Sequence, residues 1–140
     1  MQVKPYLYFN GRAEEAIDFY CRAIGAEKLF LMRFKESPDQ SVVPPGKDDK
    51  VMHAEFRVGS SSLMASDGMC DESQQGSFGG ITLSILTPIP SKAEDIFAAL
   101  SEGGQIQMPL TETFFSPRFG MVADRFGVSW MVLVQSPDEG

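Results

Sequence analysis

The sequence predicts an α+β protein built from two βαβββ modules in one chain of 140 residues. Three observations carry that prediction. The order strand, helix, strand, strand, strand is legible twice along the chain. The two helical stretches register on one another when Ile17 is set on Ile96, which also sets Cys21 on Leu100 and Gly25 on Gly104. A polar, Gly/Ser-rich connector at 68–78 separates the halves, giving module one at 1–67 and module two at 79–135. Neither half-sheet alone can cover both of its faces, so duplication has a physical reason.

Each element follows from local chemistry. Residues 3–9 (VKPYLYF) are aromatic-rich and read as a strand, with Pro5 near the start, where a missing N–H is tolerated. Asn10-Gly11 ends it. The next stretch, RAEEAIDFYCRAIGAE, places Ala16, Ile17, Phe19, Tyr20, Ala23 and Ile24 on one helical stripe, closed by Gly25. Glu14 and Glu15 are expected to face solvent at the helix start, where carboxylates suit the dipole. Residues 27–34 make a strand, and 36–50 form a Pro- and Asp-rich exposed loop. Strands at 51–58 and 62–66 are joined by Gly59-Ser60-Ser61.

In module two, GGITLSILT (79–87) reads as a strand and 91–103 as a helix. Ser91 followed by Glu94 is a capping-box pattern. Gly103-Gly104 ends that helix, and strands are expected at 105–110, 119–124 and 128–134.

Composition narrows the function. With 43% hydrophobic and 22% charged residues, this is an ordinary globular chain. A formal charge of -7 repels phosphate backbones and anionic lipid, which argues against nucleic acid and membrane surfaces as partners. No apolar segment approaches a membrane span, and the start MQVKPYLYFNG lacks the apolar core of a signal peptide. Cys21 and Cys70 form no CxxC or Cys/His cluster, so a reducing cytoplasm is the expected setting.

Three stretches, PYLYFNGRAEEAIDFYCRAIGAE, MHAEFRVGSSSLMASD and MPLTETFFSPRFGMVADRFGVSWMV, together resemble the PhnB-like branch of the vicinal oxygen chelate (glyoxalase/bleomycin resistance/dioxygenase) superfamily. The resemblance covers nearly the whole chain. It implies paired βαβββ modules, curved mixed sheets that form a cleft with helices on the outer face, and a homodimer with or without swapped modules. It does not imply one activity, because members include isomerases, dioxygenases and metal-free drug-sequestering proteins. The methyltransferase label carried by PhnB-like relatives finds no support in the residues. There is no Gly-rich βα turn with an acidic residue at the next strand end to hold a nucleoside cofactor.

Metal-dependent members of the superfamily place ligands on the first and last strand of each module. Here those positions fall on Pro5, Met64 or Ala65, Gly80 and Met131. None supplies the oxygen or nitrogen donors that hard and borderline divalent ions require, so neither metal nor cofactor is expected.

The single histidine, His53, lies on the third strand of module one, outside that set. Alternation there puts Met52, Ala54, Phe56 and Val58 on one face and Val51, His53, Glu55 and Arg57 on the other. His53 and Glu55 are close enough to hydrogen-bond, with Arg57 expected to neutralise Glu55. Three readings stay open: a polar sheet face, a cleft group that binds ligand or moves a proton, and a metal ligand with partners from elsewhere. A lone imidazole with one carboxylate falls short of a catalytic metal shell.

The same parity nominates further cleft residues. Leu7 and Phe9 share a face with Pro5, Thr82 and Ser84 with Gly80, and Met131 and Leu133 point inward. Tyr6, Tyr8, Ile81, Leu83, Ile85, Trp130, Val132 and Val134 would then form core beneath the helices. Phe114, Phe115 and Phe119 are expected near the second module's mouth, as a hydrophobic plug, a dimer contact or a ligand stack. The candidate ligand-binding set is therefore Leu7, Phe9, His53, Glu55, Thr82, Ser84, Phe115 and Met131, with His53 the candidate catalytic group. Such an apolar, Met-rich lining suits a flat, partly apolar small molecule. Ser60-Ser61-Ser62 is a turn with no nucleophile elbow around it.

Overall fold

The computed structural model describes residues 1–135, and its chain divides into two compact units, residues 1–75 and the part from Gly76 onward. In the first unit, β1 (Tyr6–Tyr8) leads to α1 (Ala13–Ile24), then β2 (Glu27–Arg33), β3 (Val51–Val58) and β4 (Ser61–Ser66). These strands form one sheet in the order β1-β4-β3-β2. β1 runs parallel to β4, and the other pairs are antiparallel.

The helix forms where the sequence places its stripe. Ala13, Ala16, Ile17, Phe19 and Tyr20 are buried on one side of α1. Gly25 ends it in the left-handed region at φ 69°, its N–H bonding the Tyr20 carbonyl. That helix face meets the buried row Leu7, Ala65 and Ala54, which are direct cross-strand partners, and the Phe56–Leu63 pair. Tyr20 stacks on Phe56 with ring centroids 5.7 Å apart.

The start of α1 is held by a residue distant in sequence. Asp67, only 1% exposed, accepts hydrogen bonds from Gly11 N and Ala13 N at Oδ1 and from Val51 N at Oδ2, each 2.8 Å. One buried carboxylate thus joins the β1–α1 turn, the start of β3 and the end of β4. Charge-assisted bonds of this kind are the stronger sort. More than a local turn former, Asp67 is the fastener of the first unit.

The second unit repeats the order with β5 (Leu83–Thr87), α2 (Pro90–Ser101), β6 (Gln105–Thr111), β7 (Phe119–Ala123) and β8 (Ser129–Val134). Its sheet runs β5-β8-β7-β6, with β5 parallel to β8. Phe97 and Leu100 of α2 are buried, as are Val122, Trp130 and Val132 of the sheet. Asp124 takes the Trp130 indole N–H at 2.8 Å and the Phe126 and Val128 amides, closing the β7–β8 turn. Gly120 is required by close approach: a Cβ there would lie 2.8 Å from Phe97 Cε2 and 2.9 Å from Leu110 Cα.

The α+β class and the repeated element order match the sequence reading, as two four-stranded mixed sheets, each with one helix. Several local expectations are corrected. Ser91 is no N-cap: α2 starts at Pro90, a residue pre-set for the first helical turn, and its cap Ile89 makes no side-chain cap bond. Glu94 instead meets Arg118. The strand expected from Gly79 begins only at Leu83, and Gly80 sits in a turn at φ 79°. Ile81, read as core, is exposed. The loop at 36–50 contains a 3-10 turn at Gln40–Val42. The connector divides: Gln75 Nε2 donates to the Asn10 carbonyl, tying its first part to unit one. Glu14 is not free in solvent but takes a bidentate bond from Arg33.

Candidate functional site

The first sheet covers one face with α1 and leaves the other without a helix. Cross-strand pairing fixes what lies on that open face. One row reads Tyr6, Met64, Glu55, Phe30, and beside it lie the pairs Tyr8–Ser66 and His53–Met32. Four of these rings form a chain. Ring centroids are 5.1 Å apart for Tyr6–Tyr8, 5.6 Å for Tyr6–His53 and 5.9 Å for Phe30–His53. These are ordinary aromatic contact distances. Tyr6, Tyr8 and Phe30 remain 36%, 54% and 45% exposed, high for large rings on a sheet.

Polar groups punctuate this surface. The Tyr6 hydroxyl lies 2.9 Å from His53 Nδ1. Burial raises the Tyr6 pKa above the ordinary tyrosine value, the hydrogen-bonding Ser66 hydroxyl working the other way and Tyr8 adding a smaller upward push. Glu55 is bridged by Lys4 Nζ at 2.6 Å. Tyr8 is seated by Gly68, whose φ is +54° and where a Cβ would approach the tyrosine ring to 3.1 Å.

Sequence-nominated residues distribute unevenly here. His53 and Glu55 share the open face, but their partners differ from those expected. His53 bonds Tyr6 rather than Glu55, and Glu55 pairs with Lys4 while Arg57 pairs with Glu27. Val51, placed on the polar face, is buried, its N–H on Asp67. Leu7 and Phe9 are 7% and 2% exposed and belong to the core, so the parity of β1 is the reverse of the expectation. Tyr6 and Tyr8, read as core, are the residues that face outward. The signal was present in their hydroxyls: a phenol carries a polar tip that an open face accommodates, whereas Leu7 and Phe9 have none.

The second sheet's open face is described separately. Ser84, Met131, Met121 and Met108 form one cross-strand row, with Leu86, Leu133 and Phe119 beside it. Ser84 Oγ donates to Met131 Sδ at 3.7 Å, and the Thr82 and Ser129 hydroxyls lie 3.1 Å apart. Phe115 packs edge-on against Phe119 at 5.0 Å, and Phe114 beyond it is fully exposed. This surface is apolar and thioether-rich, and it carries no titratable side chain among the residues just named.

The divalent site implied by the superfamily does not fit the donors present. The Pro5 carbonyl is spent on the Met64 N–H at 2.9 Å, Ala65 is buried, and Met64 and Met131 offer only thioethers. Among the described residues no three His, Cys, Asp or Glu side chains converge on a common point. A nucleoside cofactor fits no better at the β1–α1 turn, because the Gly11 and Ala13 N–H groups that would meet a charged cofactor group already bond Asp67.

Comparison with known proteins agrees with this architecture. Residues 1–133 match the family model described as 3-demethylubiquinone-9 3-methyltransferase. The crystal structure of protein PA1353 from Pseudomonas aeruginosa is 41% identical, covers 97% of this chain and 98% of its own, and superimposes with a TM-score of 0.85. The PhnB protein of Bacillus cereus is 28% identical over 96% of this chain and 100% of its own, with a TM-score of 0.79. At 13% identity, 96% coverage of both chains and a TM-score of 0.65, a glyoxylase/bleomycin resistance protein/dioxygenase domain from Frankia shares the fold alone. The chain belongs to the PhnB-like family whose model carries the 3-demethylubiquinone-9 3-methyltransferase description, built on the glyoxalase/bleomycin-resistance fold.

Proposed function

We propose that this protein binds a flat, partly apolar small molecule on the open face of its first sheet. The observation that carries the reading is the ring chain Phe30–His53–Tyr6–Tyr8, left half-exposed while hydrogen bonds and Gly68 hold it in place. Rings arranged this way present π-faces and edges to a planar partner, and Met32 and Met64, paired with His53 and Tyr6 across the strands, adapt to its outline. The test is a thermal-shift screen of planar aromatic compounds against wild type and Tyr8→Ala. Stabilisation of wild type that is weakened in the variant supports the reading. A screen in which no compound raises the melting temperature contradicts it.

The Tyr6–His53 hydrogen bond favours a second reading, in which His53 acts as an acid or base on the bound molecule. Turnover lost in His53→Gln with binding retained would separate it from binding alone. In either case the protein is proposed to work as a cytoplasmic homodimer. The exposed Met108, Leu86 and Phe114 of the second unit favour association, since an open apolar face of this kind is costly in water. Sedimentation as a monomer at about micromolar concentration, the range in which a standard-size interface remains associated, would count against it.

A further inference from the structure

The proposed ligand site has a polarity, and it follows from the partner that occupies one side of the histidine. The Tyr6 hydroxyl is 2.9 Å from His53 Nδ1, and its O–H is a donor that can be aimed at the imidazole. With the phenol as donor, Nδ1 accepts and the proton of the neutral imidazole is carried by Nε2. Among the described residues no protein group bonds Nε2.

The surroundings narrow the chemistry further. The carboxylate closest along the strand, Glu55, is committed to Lys4 and so is already matched to a cation. Phe30 and Tyr6 flank the imidazole, with ring centroids 5.9 Å and 5.6 Å away, so the histidine is part of an aromatic platform. Resting on the binding reading above, we infer that the ligand is a planar conjugated compound with a hydrogen-bond-accepting oxygen at its edge, a ring carbonyl or phenolate, that receives the His53 Nε2–H. Tyr6 is the positioning residue that fixes the tautomer.

Two probes of matched size, chromone and naphthalene, test this by ligand-observed NMR titration. Wild type is expected to bind chromone about tenfold more tightly, the worth of one well-placed hydrogen bond. His53→Phe keeps the ring and removes the N–H, so it should bind both probes about equally. Imidazole ¹⁵N shifts of the unliganded wild type should show Nε2 protonated and Nδ1 not, and Tyr6→Phe should mix the two tautomers. Equal affinities in wild type, a preference that survives in His53→Phe, or a wild-type proton on Nδ1 would each overturn the inference while leaving the binding reading intact. Failure of both probes to bind wild type would overturn the binding reading and this inference together.

Discussion

The Tyr6 hydroxyl and His53 Nδ1, 2.9 Å apart, join β1 to β3 across the top of β4. The bond spans an open sheet face, so its removal should be felt in function more than in folding. Tyr6→Phe is expected to change unfolding free energy by less than about 1 kcal/mol, the net value of an ordinary hydrogen bond. Urea denaturation measures this. A loss of several kcal/mol would mean that the pair is a structural clasp.

The reversed parity of β1 makes an opposite pair of expectations. Leu7→Ala removes core volume and should cost about 2–4 kcal/mol. Tyr8→Ala, on the exposed side, should cost about 1 kcal/mol or less while lowering affinity for planar ligands. Equal destabilisation by the two substitutions would contradict the assignment of faces.

That strand also marks the boundary of what the sequence disclosed. The helix stripe of α1, the Gly25 cap and the span of β3 were all legible, because each rests on periodicity or on a residue with one local use. The face of β1 was not legible, because a strand of three residues gives too few alternations to orient and both of its faces carry large apolar side chains. The role of Asp67 was hidden for a different reason. Its donors are more than fifty positions away at Gly11 and Ala13, and nothing local distinguishes it from a turn aspartate. Of the candidate site, His53 was visible as the lone imidazole, but its partner Tyr6 depended on the missed parity.

Asp67 gives a strong stability expectation. Asp67→Ala strands three backbone N–H groups, two of them at the start of α1. The cost should be about 3 kcal/mol or more, since buried donors left unsatisfied carry their full desolvation penalty. Denaturant unfolding monitored by helix signal checks it, and a change below about 1 kcal/mol would contradict the fastener role.

Close backbone approach yields a paired glycine test in the second unit. Gly120→Ala would push a methyl group against Phe97 and Leu110, whereas a Cβ at Gly79 meets nothing within 4 Å. The first should destabilise by about 1–3 kcal/mol and the second by little. Melting curves of the two variants give the comparison directly.

Acid stability should carry a small contribution from Glu14. The Arg33 guanidinium, hydrogen-bonded to both carboxylate oxygens, lowers the Glu14 pKa from its ordinary 4.5. A lowered native pKa means the contribution is complete above the ordinary value and is lost as pH falls through the native one. Both side chains are partly exposed, so the effect should be about 0.5 kcal/mol and smaller in salt. Wild type and Glu14→Gln should differ in stability near neutrality and converge in acid.

The binding face itself is tested most directly by an NMR titration of the protein with chromone. Ring and imidazole resonances of Tyr6, Tyr8, Phe30 and His53 should shift together and saturate with one affinity, while those of buried Phe56 and Tyr20 stay still. Saturable binding that leaves these four residues unmoved would contradict the account.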